Sequence, residues 1–399
     1  MSRVQMIQSF NFTSIPKIIF GPGKLKELFQ IIPEFGNKVL IVTGSHSLRN
    51  SGVWAKIESL SKEHGIELLH LAVSGEPSPE IVDNAVNEFK AQNLGLIVGI
   101  GGGSIIDTGK AISAMIKKND SIREYLEGVG NKVHDGEKLP YIAIPTTSGT
   151  GSEATKNAVI SEVGPKGFKK SLRHDNLIPN LAIIDPELMV SCPSSVTAAC
   201  GLDAFTQLLE SYVSTASNPL TDALALDGIQ HVKDALIPAT SDSASDINIR
   251  SKMAYGALIS GITLANAGLG VIHGFASSIG GEYNIPHGVV CGTLLAEATR
   301  KNIEKLKQVG KEGEIALKKF AKVGELLTDK SHPPKEVLKN AEHLVQILDD
   351  WTSELRLSRL SKFGVNEHEI EHLAETTSQK NNPVILKKMD LVYILKSRL

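Results

Sequence analysis

The feature that most constrains the fold of this chain is an alternation of short apolar runs with helically spaced segments, which stops near residue 188. KVLIVTG (38–44) is an apolar run closed by Gly, the pattern of a strand buried on both faces. VWAKIESLSKEHG (53–65) follows with helical spacing and a Gly stop, and ELLHLAV (67–73) reads as the next strand. SPEIVDNAVNEFKAQN (78–93) is a helix with Ser78 as cap and Pro79 at its first position. LGLIVGIGGGS (94–104) is a strand running into a Gly-rich turn, with a helix over IIDTGKAISAMIKK (105–118). LPYIAIPTT (139–147) and NLAIIDPEL (180–188) are further strands. Strands alternating with helices predict a doubly wound parallel sheet. Beyond it, segments 194–238, 247–265, 289–307, 310–328, 335–355 and 366–378 all read as helices. The expected architecture is an α/β domain over 1–187 and an all-helical domain over 188–399, divided near Asp185-Pro186.

Composition excludes several partners. With 399 residues, 41% hydrophobic and 22% charged, the chain can bury two cores. A formal net charge of −2 with scattered Lys and Arg gives no footprint for nucleic acid. The N-terminal MSRVQMIQSFNFT has no apolar signal core, and no run approaches the roughly 18 apolar residues of a membrane span. Cys192, Cys200 and Cys291 form no CxxC pair and read as free thiols, so a cytoplasmic protein is expected.

Two loops carry an anion-binding signature. GIGGGSIIDTGK (99–110) lies where a strand ends and a helix begins. Gly lets the backbone approach a pyrophosphate, and free N–H groups at the helix start attract anions. The glycines are contiguous, so this is not GxGxxG, and a tight turn without a ligand is the competing reading. PTTSGTGSEAT (145–155) follows the next strand and alone could be a Ser/Thr-rich surface loop. Together the two would frame a nucleotide crevice at the carboxyl edge of the sheet.

A second constellation lies in GLDAFTQLLESY (201–212) and GLGVIHGFASSIGGEYNIPHG (268–288). Asp203, His273 and His287 supply a carboxylate and two imidazoles, donors suited to Zn(II) or Fe(II). A fourth ligand one helical turn after Asp203 would be Gln207, a weaker donor. The competing roles are structural: Asp203 as a helix cap after Gly201, and the histidines as loop residues beside Gly.

GGGSxxDxxK (101–110), PTTSGTGSE (145–153), DPEL (185–188), GLDAFTxxxE (201–210) and HGxxxxxGxxxxxPHG (273–288) together resemble the iron-containing (group III) alcohol dehydrogenases. The resemblance runs from FGPG (20–23) to NNPVILKKMDL (381–391). It implies a nucleotide-binding α/β domain, a helical metal-binding domain, a cleft between them, and hydride transfer between a small alcohol or aldehyde and NAD(P). Carried over by position, Gly102, Gly103 and Ser104 meet the pyrophosphate and Asp107 lies near the nicotinamide. Thr146, Thr147, Thr150 and Ser152 line the phosphates and ribose, Lys169 touches a ribose, and Leu188 borders the adenosine or ribose pocket. Asp203, His273 and His287 hold the metal, which polarises the carbonyl. A homodimer pairing edge strands near residues 10–20 is also implied.

Three positions depart from that pattern. Gln207 stands where the family usually has a histidine ligand, although the related glycerol dehydrogenases resemble this chain in using one Asp and two His. Ser277 replaces a second histidine proposed in proton relay, and a hydroxyl cannot hold a proton near neutral pH as imidazole does. Gly44 replaces the Asp that often marks NAD preference, which leaves room for a 2′-phosphate near Ser45 and Arg49 and favours NADP(H), with NAD(H) tolerated. These departures keep two alternatives: a metal-independent reductase resembling the maleylacetate reductases, and a catalytically degenerate NAD(P)-binding protein. A dehydroquinate synthase, on the same two-domain plan, would need a basic cluster beside the metal segments, and none is present in the sequence.

Overall fold

The computed structural model describes residues 9–165, 167–328 and 336–399. The expected lack of a signal core rests partly on residues 1–8, and the expected helix over 335–355 begins on residue 335; both lie outside the described residues. The strands are β1 (Lys17–Phe20), β2 (Lys38–Gly44), β3 (Glu67–Val73), β4 (Leu96–Gly101), β5 (Tyr141–Pro145), β6 (Asn157–Glu162), β7 (Phe168–Arg173) and β8 (Leu181–Ile184). Six of them form one sheet in the order β1-β8-β5-β4-β2-β3, with every neighbouring pair parallel. Period-2 alternation explains its two buried faces. Val39 and Ile41 of β2 enter one core, while Leu40 and Val42 enter the other. Each such side chain, fully buried, contributes about 1.5–3 kcal/mol. The chain reverses direction across the sheet between β2 and β4, so the crevice of a doubly wound sheet opens at their carboxyl ends.

Helices α1 (Leu28–Ile31), α2 (Ser47–Asn50), α3 (Val53–Glu63), α4 (Pro79–Phe89) and α5 (Gly103–Met115) belong to this half. Ser78 caps α4 as expected, its hydroxyl accepting from Ile81 N–H at 3.2 Å. The second half consists of α6 (Ser194–Val213), α7 (Pro219–Ala235), α8 (Ile247–Ala267), α9 (Val271–Glu282), α10 (His287–Val309), α11 (Glu314–Leu327), α12 (Val337–Glu354), α13 (Ile370–Thr376) and α14 (Lys388–Ser397). A third core, centred on Phe205, Leu208, Phe275 and Leu294, binds these helices together. Among the described residues no single helix is long and apolar enough to cross a membrane.

The structure corrects the sequence reading in three places. Segment 194–238 is not one helix: Asn218 caps a new start, accepting from Leu220 and Thr221 N–H at 3.1 and 3.2 Å, and Pro219 occupies the first position. Segment 268–288 contains α9, which its six glycines conceal from a propensity argument. β6 and β7 form an antiparallel hairpin outside the main sheet that the periodicity did not reveal.

Among the described residues the halves approach main chain to main chain at several points, Gly149 against Cys200 of α6 among them, and two of these pair glycine with glycine. At one, a Cβ on Gly261 of α8 would lie 2.1 Å from the carbonyl oxygen of Gly151, so only glycine permits the approach. At the other, Gly164 N–H, in the turn of the hairpin, donates to the Gly281 carbonyl of α9 at 3.2 Å.

Candidate active site

Between the halves lies a cleft of about 480 Å³. Its sheet-side wall is built from the two Gly- and Ser/Thr-rich loops. α5 begins at Gly103 without a capping side chain, so its first N–H groups are left for an anion. The loops are joined by Thr146 N–H, which donates to Gly101 O at 2.9 Å, and by contact between Gly103 and Thr150.

Beneath them Lys110 acts as a buried strut. Its ammonium donates to Ser152 O at 2.7 Å, Ser152 Oγ at 3.1 Å, Thr155 Oγ1 at 3.0 Å and Asn157 O at 2.8 Å. Burial lowers its pKa to about 8. Asp107, 3.7 Å from that ammonium, accepts from Ser152 Oγ and from Val159 N–H at 3.1 Å. Burial raises the Asp107 pKa, against the pull of Lys110. Glu153 beside them is 3% exposed, and burial pushes its carboxyl up to about 7.

The helical wall carries the second constellation. Asp203 lies mid-way along α6, His273 in the first turn of α9, and His287 at the start of α10. Asp203 Oδ1 is 3.3 Å from His273 Nε2 and 3.6 Å from His287 Nε2. That oxygen is buried without a hydrogen-bond partner among the described residues, an arrangement costing about 1–3 kcal/mol that a cation between the three groups would relieve. Burial opposes ionisation of Asp203, but His287 and His273 keep its pKa below 3.8. Burial lowers the His287 pKa to about 4, leaving the neutral imidazole that ligation requires, although part of its ring faces the cleft. His273 Nδ1 lies 2.7 Å from Glu210 Oε2, and Glu210 Oε1 accepts from Ile272 N–H at 2.7 Å. A carboxylate on Nδ1 holds the proton there and frees Nε2, the usual arrangement behind a metal-ligating histidine.

The cleft brings together Gly102, Gly103, Ser104, Asp107, Thr147, Thr150, Ser152, Lys169, Asp203, Gln207, His273, Ser277 and His287. Gly44, Ser45, Thr146 and Leu188 do not line this cavity. Ser45 donates its hydroxyl to Val73 O at 3.0 Å, so that proton is not free for a phosphate. Leu188 packs against the core on one face of the sheet. Gln207 Oε1 accepts from Ser260 Oγ at 2.7 Å, which turns its carbonyl towards α8. Ser277 Oγ donates to the main-chain oxygen of His273 at 2.9 Å.

Four groups escaped the sequence reasoning. Glu76 borders the cleft, pairing with Lys169 at 3.0 Å and accepting from Ser104 Oγ at 3.2 Å; nothing in the sequence announces that tertiary pair. Glu210 and Cys291 were legible as helical spacings, seven residues after Asp203 and four after His287. Lys380 enters from the loop before α14 with φ 46, donates to His273 O at 3.4 Å and makes no ion pair among the described residues.

Comparison with known proteins bears directly on this arrangement. The model described as "Iron-containing alcohol dehydrogenase" matches residues 16–186, and "Fe-containing alcohol dehydrogenase family, C-terminal" matches 197–399. The chain belongs to the iron-containing alcohol dehydrogenase family. Alcohol dehydrogenase 4 of Saccharomyces cerevisiae (strain YJM789) is 34% identical to this dehydrogenase over 389 residues, 96% of this chain and 97% of its own length. The NAD-dependent methanol dehydrogenase of Bacillus methanolicus is 30% identical, covering 98% of this chain and all of its own length (100%). Among solved structures, 1,3-propanediol oxidoreductase superposes with a TM-score of 0.86 at 28% identity, covering 98% of this chain and 100% of its own. An archaeal halo-thermophilic alcohol dehydrogenase from a Red Sea brine pool gives 0.88 at 26% identity, with 100% of both chains covered. Membership makes this chain an alcohol dehydrogenase with the α/β-plus-helical architecture expected from its sequence. The family implies a nicotinamide dinucleotide and a divalent metal, typically iron.

Proposed function

We propose that this dehydrogenase interconverts a primary or secondary alcohol and its aldehyde or ketone, using NADP(H) in preference to NAD(H) and a divalent cation held by Asp203, His273 and His287. The observation that carries the reading is that a single cleft joins the uncapped start of α5 to a buried carboxylate oxygen without a partner, faced by two imidazoles. When bound, the cation would supply Lewis-acid polarisation of a carbonyl, and the nicotinamide would supply or accept the hydride. The chain's own residues prepare the site. Glu210 sets the His273 tautomer, and Lys110 holds the second loop against α5. Ser277, its proton committed to His273 O, offers lone pairs but no proton, so protons leave through a ribose hydroxyl or water. The NADP(H) preference rests on Gly44 and on Arg49, which is exposed beside the end of β2.

The same proposal divides the chain into 1–187 for the nucleotide and 188–399 for metal and substrate, in a cytoplasmic homodimer. Its pairing surface would be the outer edge of β1. Metal analysis of protein purified without chelator, with NADH and NADPH titrated on the same sample, tests the reading. Asp203→Ala and His287→Ala are expected to abolish both metal content and reductase activity; retention of both by either variant sinks the proposal. A metal-independent reductase is the second reading, favoured by the engagement of the Gln207 carbonyl with Ser260, and full activity of metal-free protein would select it.

A further inference from the structure

The position usually occupied by the family's second ligand on α6 is Gln207, and its carbonyl oxygen is bonded to Ser260. The same helical relationship, two donors one turn apart, recurs on α10, where Cys291 follows His287 by four residues. Cys291 is fully buried, yet its sulfur does not face apolar atoms alone. Sγ lies 3.7 Å from His273 Nε2 and 3.7 Å from His287 Nε2, the two nitrogens that face Asp203 Oδ1. All four donor atoms lie within 4.8 Å of one another.

Donors on a tetrahedron are separated by about 1.6 times the metal–ligand bond. Bonds of about 2.0–2.3 Å to oxygen, nitrogen and sulfur therefore require separations of about 3.3–3.8 Å. Four of the six edges are 3.3, 3.6, 3.7 and 3.7 Å. Those four edges match the separations that ordinary metal–ligand bonds require, and the other two lie within 4.8 Å. Asp203 is 1% exposed and its Oδ1 has no hydrogen-bond partner among the described residues, which supplies independent evidence that the cluster is built to hold a cation.

We infer that the fourth metal ligand of this dehydrogenase has moved from α6 to α10, so that Asp203, His273, His287 and the Cys291 thiolate enclose the cation. This inference rests on the metal-dependent reading above. On binding, the cysteine proton passes to solvent and its sulfur lone pair forms the new bond. A thiolate softens the site and favours Zn(II) over the hard divalent ions. With four protein donors the resting site is full, and a substrate carbonyl would reach the cation by expansion to five-coordination.

The test is the electronic spectrum of the full-length protein reconstituted with Co(II), alongside Zn(II) affinity by chelator competition. A sulfur-to-cobalt charge-transfer band is expected in the wild type and in Gln207→Ala, and its loss is expected in Cys291→Ser. That variant should bind Zn(II) at least about 10–100-fold more weakly, the scale on which even outer partners act. Stoichiometric Co(II) without the band overturns the inference and leaves the three-ligand site standing, and this outcome needs no variant to fold. Unchanged Zn(II) affinity in Cys291→Ser overturns it as well. Failure of the wild type to take up either ion removes the inference together with the metal-dependent reading.

Discussion

Replacing Glu210 by Gln should weaken metal binding through a single proton. Glu210 Oε2 faces His273 Nδ1 at 2.7 Å, while Oε1 accepts from Ile272 N–H at 2.7 Å. Both contacts need an acceptor, and glutamine has one oxygen and one NH₂ group. If the oxygen stays on Ile272, the NH₂ faces Nδ1, and the imidazole must move its proton to Nε2. A cation then competes with that proton. Loss of such an outer partner typically costs 10–100-fold in metal affinity, or about 1.4–2.7 kcal/mol. If the amide flips instead, its NH₂ opposes Ile272 N–H at the start of α9, and an unsatisfied buried donor costs the fold about 1–3 kcal/mol. The variant must lose in one place or the other. Chelator competition for Zn(II), with urea unfolding and NADPH binding on the same samples, separates the two. A Glu210→Gln protein that holds metal within about twofold of wild type and unfolds at the same urea concentration refutes the tautomer argument.

Three further outcomes concern the second loop and its supports. Lys110→Met leaves three acceptors in the second loop and the Asn157 carbonyl of β6 without their donor and should destabilise the protein by about 3–5 kcal/mol, read from urea unfolding; a loss below about 1 kcal/mol contradicts the strut. Glu153 has a folded pKa of about 7, raised above its ordinary 4.5 by burial. Its share of stability is therefore complete below the lower value and lost as pH rises through the upper one. At about 1.36 kcal/mol per pH unit this reaches about 3 kcal/mol, so Glu153→Gln should gain on wild type in urea midpoint between about pH 5 and about pH 8, and parallel profiles would count against it. Gly261→Ala sets a methyl 2.1 Å from the Gly151 oxygen and should cost about 1–3 kcal/mol in thermal unfolding, whereas an unchanged Tm would show that the two backbones can part freely.

Much of the fold was legible because its determinants are local. β2 and β4 are short apolar runs closed by Gly, and Ser78-Pro79 marks the start of α4 by cap chemistry alone. The metal-side residues were legible as donor types beside Gly, but their supports were not. Glu210 matters because α9 begins against it, and α9 itself is rich in glycine that a propensity argument reads as loop. Those glycines serve packing: a Cβ on Gly274 would lie 1.8 Å from the Ser378 carbonyl oxygen. Cys291 was read by redox compartment rather than by its spacing from His287, which hid its place among the donors. Ser45 was read from its hydroxyl alone, and only the neighbouring strand reveals that Val73 takes that proton.

The two glycine contacts between the halves have a mechanical consequence. Side-chain interfaces can slide by exchanging rotamers, but Gly151 against Gly261 and Gly164 against Gly281 are main chain on main chain, with nothing to re-pack. Gly149 against Cys200 of α6 adds a further close approach. Halves pinned by backbone in this way resist sliding past one another and move as packed rigid bodies. The nucleotide loops and the donor cluster lie on opposite sides of the cleft, so such a rigid-body movement changes their separation as a single coordinate. Label-to-label distances measured across the cleft in solution should therefore rise and fall together when a dinucleotide is added.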